Sequence, residues 1–408
     1  MIKVWTDGDE AGLLDKNGVR GSTFVYPSET WKQRAVSLTM PVRTSSYNMD
    51  YGLVPIFDMN LPEGALRERL RLAFAKAIGK FDDFDLLTIV GRSQVGRIRY
   101  TGEKEKLNED VPFQSVDEIL ASRRGGDLYA YLIEKFAQYS GISGIQPKVL
   151  VRDEKSSAGL SRERISPSYR GATHIVKFWE PNEFPQLAAN EYFCLSVAKR
   201  CGLDIPPFKL AVDGTALVVD RFDLRPDGSY RGFEDFCVLN AKGTAEKYSG
   251  TYETSVIRRF QEFARSPEAP SDVEKLFTLI TLNCVLKNGD AHLKNFGVLY
   301  DEVLGEPRLA PVYDLVTTSI YLPRDTMALT LNGTTNWPDA KALLRVGQTR
   351  VGTPAKIREI FERISEALSQ TVPDVRSYIQ DHPDFKEVGE SMLREWEKGR
   401  RFSLGGKE

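Results

Sequence analysis

This sequence predicts an α+β protein built from more than one unit. Strand-like segments dominate its beginning, strands and an amphipathic helix alternate in the middle, and helical periodicity takes over after residue 233. Its 408 residues exceed what one small core organises, so at least two units are expected. Hydrophobic residues make up 41% and charged ones 27%, an ordinary globular balance. The net charge of −2 gives no electrostatic drive toward nucleic acid or an anionic membrane. Cys194, Cys201, Cys237 and Cys284 form no CxxC pair, and His174, His292 and His382 are too scattered to complete a zinc site with them. With no signal peptide and no apolar run of about 18 residues, a cytoplasmic protein is expected.

Residues 1–105 read as a separate strand-rich subdomain. Strands are expected at 2–5 and 22–26 around an Asp7-Gly8-Asp9 turn, followed by an amphipathic helix over 65–78 with Leu66, Leu70, Phe74 and Ile78 on one face. The apolar run 85–90 leads to Gly91 and Gly96, and the charged stretch 103–110 is a plausible linker. This unit carries no evident catalytic group and reads as a docking subdomain.

Residues 140–148 (SGISGIQPK) precede a short strand. Their glycines and serines would let backbone N–H groups approach phosphate oxygens with Ser143 exposed at the tip, although a simple glycine-bearing turn is the commoner origin of such a stretch. In the strand 173–179, alternation sets Lys177 beside Ile175 and Trp179, and an ammonium on an apolar face needs an anion. The helix 186–201, stopped by Gly202, places Glu191 on a stripe with Leu187, Leu195 and Ala198. A strand lysine paired with a helix glutamate is the ion pair of kinase amino-terminal lobes. Residues 216–219 read as a buried strand, and the hinge that follows, with Asp220 and Phe222, offers backbone groups to an adenine edge.

The densest chemistry lies at 288–295 (NGDAHLKN), where Asp290, Lys294 and Asn295 share one polar loop. The preceding helix is expected to start at Ser271, with Glu274 three residues on, and to stop at Gly289; a strand follows at 295–300. Phosphoryl transfer requires a carboxylate near the attacking hydroxyl and oxygen ligands for Mg2+, and Asp290 with Asn295 supplies both. Asp314, in PVYD, offers a second metal ligand; an Asx-rich turn is the alternative reading of these residues. The region after 340 reads as helical, fraying over 398–408.

The order SGISGIQPK, THIVKF, NEYFCLSVAKRCGL, LVVDRFD, NGDAHLKN and LAPVYDL resembles the HipA-like serine/threonine kinases, toxins of bacterial toxin–antitoxin modules. The resemblance implies a bilobal fold like that of protein kinases and phosphatidylinositol kinases. It divides the chain into a small strand-rich N-terminal subdomain (1–105), a kinase N-lobe (125–232) and a mainly helical C-lobe (233–408). It further implies ATP and Mg2+ as cofactors, Asp290 as the catalytic carboxylate, and Asn295 and Asp314 as metal ligands. Lys177 with its partner Glu191, Asp220, Phe222 and Lys294 would serve ATP, and Ser143 would be an autophosphorylation site. Where some relatives carry a second loop serine this chain has Gly141, with Ser140 the nearest substitute. The implied partners are a HipB-like helix-turn-helix antitoxin, DNA only through that antitoxin, and a protein substrate such as an aminoacyl-tRNA synthetase, with no membrane. A kinase of a small-molecule or lipid acceptor, and a non-catalytic repressor component binding antitoxin and DNA, are the competing readings.

Overall fold

Alternating burial in Ile2–Thr6 (β1) begins the first sheet in this computed structural model, which describes residues 1–18, 20–74, 81–123, 126–153, 169–180 and 182–405. Asp9–Asn17 (β2), Gly21–Val25 (β3), Tyr47–Met49 (β4) and Ile98–Gly102 (β5) complete it in the antiparallel order β4-β3-β2-β1-β5. The strand β2 escapes a sequence reading because acidic and basic residues fill both its ends. Only Ala11, Gly12 and Leu14 within it are buried.

Short Pro55–Asp58 (α1) and Gly64–Phe74 (α2) follow β4, and α2 buries Leu66 and Leu70 as its periodicity predicts. The expected continuation to Ile78 lies outside the described residues. The run 85–90 belongs to a helix, Asp83–Val90 (α3). Asp82 decides it: its carboxylate accepts the Phe84 and Asp85 N–H groups, and Asp85 accepts the Asp82 N–H in return.

Val116–Ala121 (α4) and Gly126–Phe136 (α5) lead to a second antiparallel sheet. It contains Lys148–Val151 (β6), His174–Phe178 (β7), Phe208–Leu210 (β8) and Ala216–Asp220 (β9), ordered β6-β7-β9-β8. Both β7 and β9 are buried at every position, which fits the apolar run 216–219 of β9 and leaves His174 and Lys177 as buried polar residues in β7. Between them in sequence lies Leu187–Arg200 (α6), ending as expected ahead of left-handed Gly202.

Gly232–Asp235 (β10) precedes Phe236–Leu239 (α7), so the second half opens with a strand; Asp235 caps α7 by accepting the Val238 N–H. Next come Arg259–Phe263 (α8), Ala269–Val285 (α9), Gly297–Tyr300 (β11) and Arg308–Leu309 (β12). Ala340–Arg350 (α10), Pro354–Asp381 (α11) and Lys386–Leu404 (α12) close the chain.

Three expectations about helix ends are corrected. Helix α9 starts at Ala269 rather than at a Ser271 cap, because Pro270 suits the first turn, where its missing N–H costs nothing. It ends ahead of Gly289, through left-handed Lys287 (φ 59°) and an Asn288 N–H bond to the Asn283 carbonyl of 2.9 Å. The charged end does not fray over 398–404: α12 continues to Leu404, with Gly399 and Ser403 buried and the Ser403 hydroxyl bonded to the Pro338 carbonyl.

Contacts group the chain into two compact units, each assembled from separate stretches of sequence. One comprises 1–178, 207–245 and 299–306; the other comprises 179–206, 246–298 and 307–408. Among the described residues no helix is long and apolar enough to cross a membrane.

Candidate active site

Four backbone and side-chain bonds fix the 288–295 loop at the end of α9. Asn288 Nδ2 donates to Asn283 Oδ1 (2.7 Å), and Asn288 Oδ1 accepts the Asp290 N–H (3.2 Å). The His292 N–H is shared between the Asp290 carbonyl (2.8 Å) and Asn295 Oδ1 (3.0 Å). Asp290 and Asn295 are therefore pinned at either end of one tight turn, the latter in the 3-10 segment Leu293–Asn295.

Gly289 is needed for a steric reason. A β-carbon there would lie 2.2 Å from Asp325 Oδ1. Asp325 accepts the Thr318 hydroxyl, while Thr318 Oγ1 accepts the Gly289 N–H at 2.6 Å and its own N–H donates to the Lys287 carbonyl at 3.2 Å. The chain after PVYD thus clamps the loop's entrance, and burial pushes the Asp325 carboxyl above its usual value.

His292 marks the electrostatic centre. Burial lowers its pKa to about 4, and the charges of Asp290, Lys247, Lys294 and Asp314 all act on the ring, the carboxylates opposing the shift and the lysines adding to it. Tyr248, half exposed, stands edge-on to His292 at 5.0 Å and donates its hydroxyl to Asp290 Oδ1 at 2.7 Å. Tyr313 reaches the Lys294 carbonyl at 2.8 Å, tying the loop to the PVYD segment, in which Asp314 has a left-handed backbone (φ 52°). The same compact unit thereby brings Asp290, Lys294, Asn295 and Asp314 together.

These oxygens suit a hard cation. Among the described residues no three His, Cys, Asp or Glu side chains gather as a metal cluster. Mg2+ nonetheless commonly takes one or two protein oxygens and fills its shell with water and phosphate. Asp314 and Asn295 meet that requirement, since Asn295 Oδ1 keeps a lone pair beyond the bond from His292.

The remaining candidates divide between the units. Glu191 is completely buried in α6, in the unit that holds Asp290. Lys177, Asp220, Phe222 and Ser143 belong to the other. Lys177 is 4% exposed, and its cross-strand partner in β6 is Lys148, 3% exposed. The Lys148 ammonium donates to the Ser143 carbonyl at 3.2 Å, which ties β6 to the glycine-bearing loop. Asp220 pairs with His174 in register and by a 3.2 Å contact to Nε2, and its N–H is bonded to the Pro207 carbonyl. The Phe222 ring packs edge-on against Phe233 at 5.3 Å.

Ser143 is not exposed as expected: it is half buried, because its hydroxyl is bonded to Glu63, and the exposed side chain of the loop is Ile145. Ser140 cannot substitute for it: fully buried, it donates to the Phe136 carbonyl and accepts from the Leu150 N–H. Gly141 has no room for a side chain, because a β-carbon would lie 2.4 Å from Gln94 Cγ and 2.7 Å from the Ser93 carbonyl.

Sequence reasoning overlooked Tyr248, Lys247, Lys148, Asp325 and Glu63. Only Lys148 had a usable signal: counting along β6 from the loop puts a second lysine opposite Lys177. The others depend on partners at least 42 residues away in sequence or, for Asp325, on a turn no periodicity reveals.

The sheets, the helical second half and the polar loop define an α+β protein of kinase-like architecture. It belongs to the HipA-like family: residues 140–372 match the HipA-like C-terminal domain and residues 2–101 the HipA N-terminal domain. A Sinorhizobium fredii protein named "Putative kinase Y4mE" is 27% identical over 415 residues, covering 96% of each chain. A second from that organism, "Putative kinase Y4dM", is 28% identical over 306 residues, covering 71% of this chain and 68% of its own. Among solved structures, a chain of the Shewanella oneidensis toxin–antitoxin complex of HipA, HipB and operator DNA shares the fold. Its TM-score is 0.68 at 18% identity, covering 99% of this chain and 98% of that one.

Proposed function

We propose that this protein is an ATP- and Mg2+-dependent serine/threonine protein kinase, the toxin of a HipA-type toxin–antitoxin pair. The observation that carries the reading is the gathering of Asp290, Lys294, Asn295 and Asp314 around buried His292, in a family whose relatives bear kinase names. When bound, Mg2+ATP supplies the transferable γ-phosphoryl group and a cation that neutralises its charge. Asp290 orients the acceptor hydroxyl and takes its proton as the new O–P bond forms and the bond to the ADP leaving group breaks. Asn295 and Asp314 would hold the metal, Lys294 would serve the transferred phosphate, and Lys177 would serve the nucleotide phosphates. Asp220 and Phe222 border the adenine.

The Shewanella complex contains HipB and operator DNA, which supports an antitoxin partner of the same kind here, with DNA contacted through it. Family resemblance extends the proposal to an aminoacyl-tRNA synthetase as substrate, to Ser143 as the autophosphorylated residue and to action in the cytoplasm. A phosphate there adds a charge of about −1.5 to −2 to a loop meant for triphosphate, which makes Ser143 modification an off switch.

The test is intact mass after incubation with Mg2+ATP, for the parent, Asp290→Ala and Ser143→Ala. Mass gain of one phosphate in the parent alone is expected, with turnover in Asp290→Ala down by at least about a thousandfold. Equal gain in Asp290→Ala would remove Asp290 from catalysis. Gain that persists in Ser143→Ala would move the modification elsewhere.

A further inference from the structure

Glu63 belongs to the N-terminal subdomain, immediately ahead of α2, and no catalytic role claims it. Its Oε1 accepts two bonds from the glycine-rich loop: the Ser143 hydroxyl and the Gly144 N–H at 3.1 Å. The approach is close along the backbone as well. Gly64 adopts φ 52°, and a β-carbon there would meet the Ile145 carbonyl at 2.9 Å. On its other flank the loop is gripped by the same subdomain, through Gly141 N–H to the Ser93 carbonyl (2.9 Å) and Val95 N–H to the Gly141 carbonyl (3.3 Å). Gly144 itself has φ 118°, a conformation that L-residues rarely adopt.

A hydroxyl and a glycine N–H converging on one anionic oxygen is the donor arrangement with which loops of this kind hold phosphate. Here a carboxylate fills it. A phosphate oxygen seeking the same donors must displace Glu63, and while Glu63 remains nearby the two anions repel.

We propose that Glu63 is a built-in anion that occupies the Ser143–Gly144 donors, so that the N-terminal subdomain competes with nucleotide phosphate for the loop. The inference rests on the reading that this loop receives ATP. It gives the subdomain a task, setting the apparent affinity for nucleotide, that its lack of catalytic groups leaves open.

Calorimetric titration of the full chain tests it, using the β,γ-imido analogue of ATP with Mg2+ and, in parallel, adenosine. Glu63→Gln keeps the volume and removes the charge. The expected result is a dissociation constant for the analogue about tenfold lower than in the parent, with adenosine binding unchanged, because the competition concerns phosphates alone. Should Glu63→Gln fail to fold, Glu63→Ala decides by the same comparison. Analogue affinity equal to or weaker than the parent's, or an equal change for adenosine, overturns the competition while leaving the kinase reading intact. A parent that binds no analogue at all overturns both.

Discussion

His292 lies buried amid the charges of the polar loop, and that burial sets its protonation state. Its ring is 6% exposed, and burial outweighs the two carboxylates that favour its charged form, so its pKa falls from 6.5 to about 4. Neutral at physiological pH, it sets no imidazolium against Asp290 and Asp314, as the roles proposed for those carboxylates require. The linkage follows directly. Between pH 6.5 and 4 the unfolded chain binds a proton that the folded one does not, so stability is fully present above pH 6.5 and is lost as pH falls to about 4. The shift corresponds to about 3 kcal/mol. In urea denaturation followed from pH 7.5 to 4.5, His292→Gln should lose less stability than the parent by a comparable amount. Parallel pH profiles for the two proteins would show that the imidazole is not buried in its neutral form.

Between residues and elements, what the sequence reveals depends on the range of the cause. The strand and helix that carry Lys177 and Glu191 are legible, because alternation and the Leu187, Leu195, Ala198 stripe are local. So is the Asp290–Asn295 spacing, set within one turn. The ends of α9 were not, since Pro270 and left-handed Lys287 outcompeted the better-looking signals of Ser271 and Gly289, whereas Gly202 did mark the end of α6. Gly289 serves instead to admit Asp325, a tertiary demand. The missing loop serine has the same kind of cause: Ser93 and Gln94, in the connection between α3 and β5, close on Gly141 from one side. Gly141→Ser should therefore destabilise the protein by about 1–3 kcal/mol through overpacking against Gln94, and should not create a second phosphorylation site. Thermal melting and intact mass check both halves. Unchanged stability with a second phosphate would mean that the loop is free to move off Ser93.

At the scale of the whole molecule, sequence order and compact units part company: residues 179–206 belong with 246–298 and 307–408. Helix α6 is the reason the last stretch cannot stand alone. Asn190 brackets Thr317 with two bonds, Nδ2 to its carbonyl (3.0 Å) and Oδ1 from its N–H (2.9 Å), and Trp396 of α12 donates to the Thr317 hydroxyl at 2.8 Å. Arg200 bonds Thr371 and Asp374 of α11 at 2.8 and 2.7 Å. Phe193, Cys194, Leu195 and Val197 are each no more than 2% exposed. Removing four such side chains forfeits burial worth about 2 kcal/mol apiece, a sum near the total stability of an ordinary domain. It also strands the backbone of Thr317, buried and without its partner. A fragment spanning 246–408 retains every residue of the polar loop and is expected to show no cooperative melting transition by circular dichroism, with the transition returning when 179–408 is expressed instead. Cooperative melting of 246–408 near the parent's midpoint would mean that α6 covers the second unit without being part of its folding core.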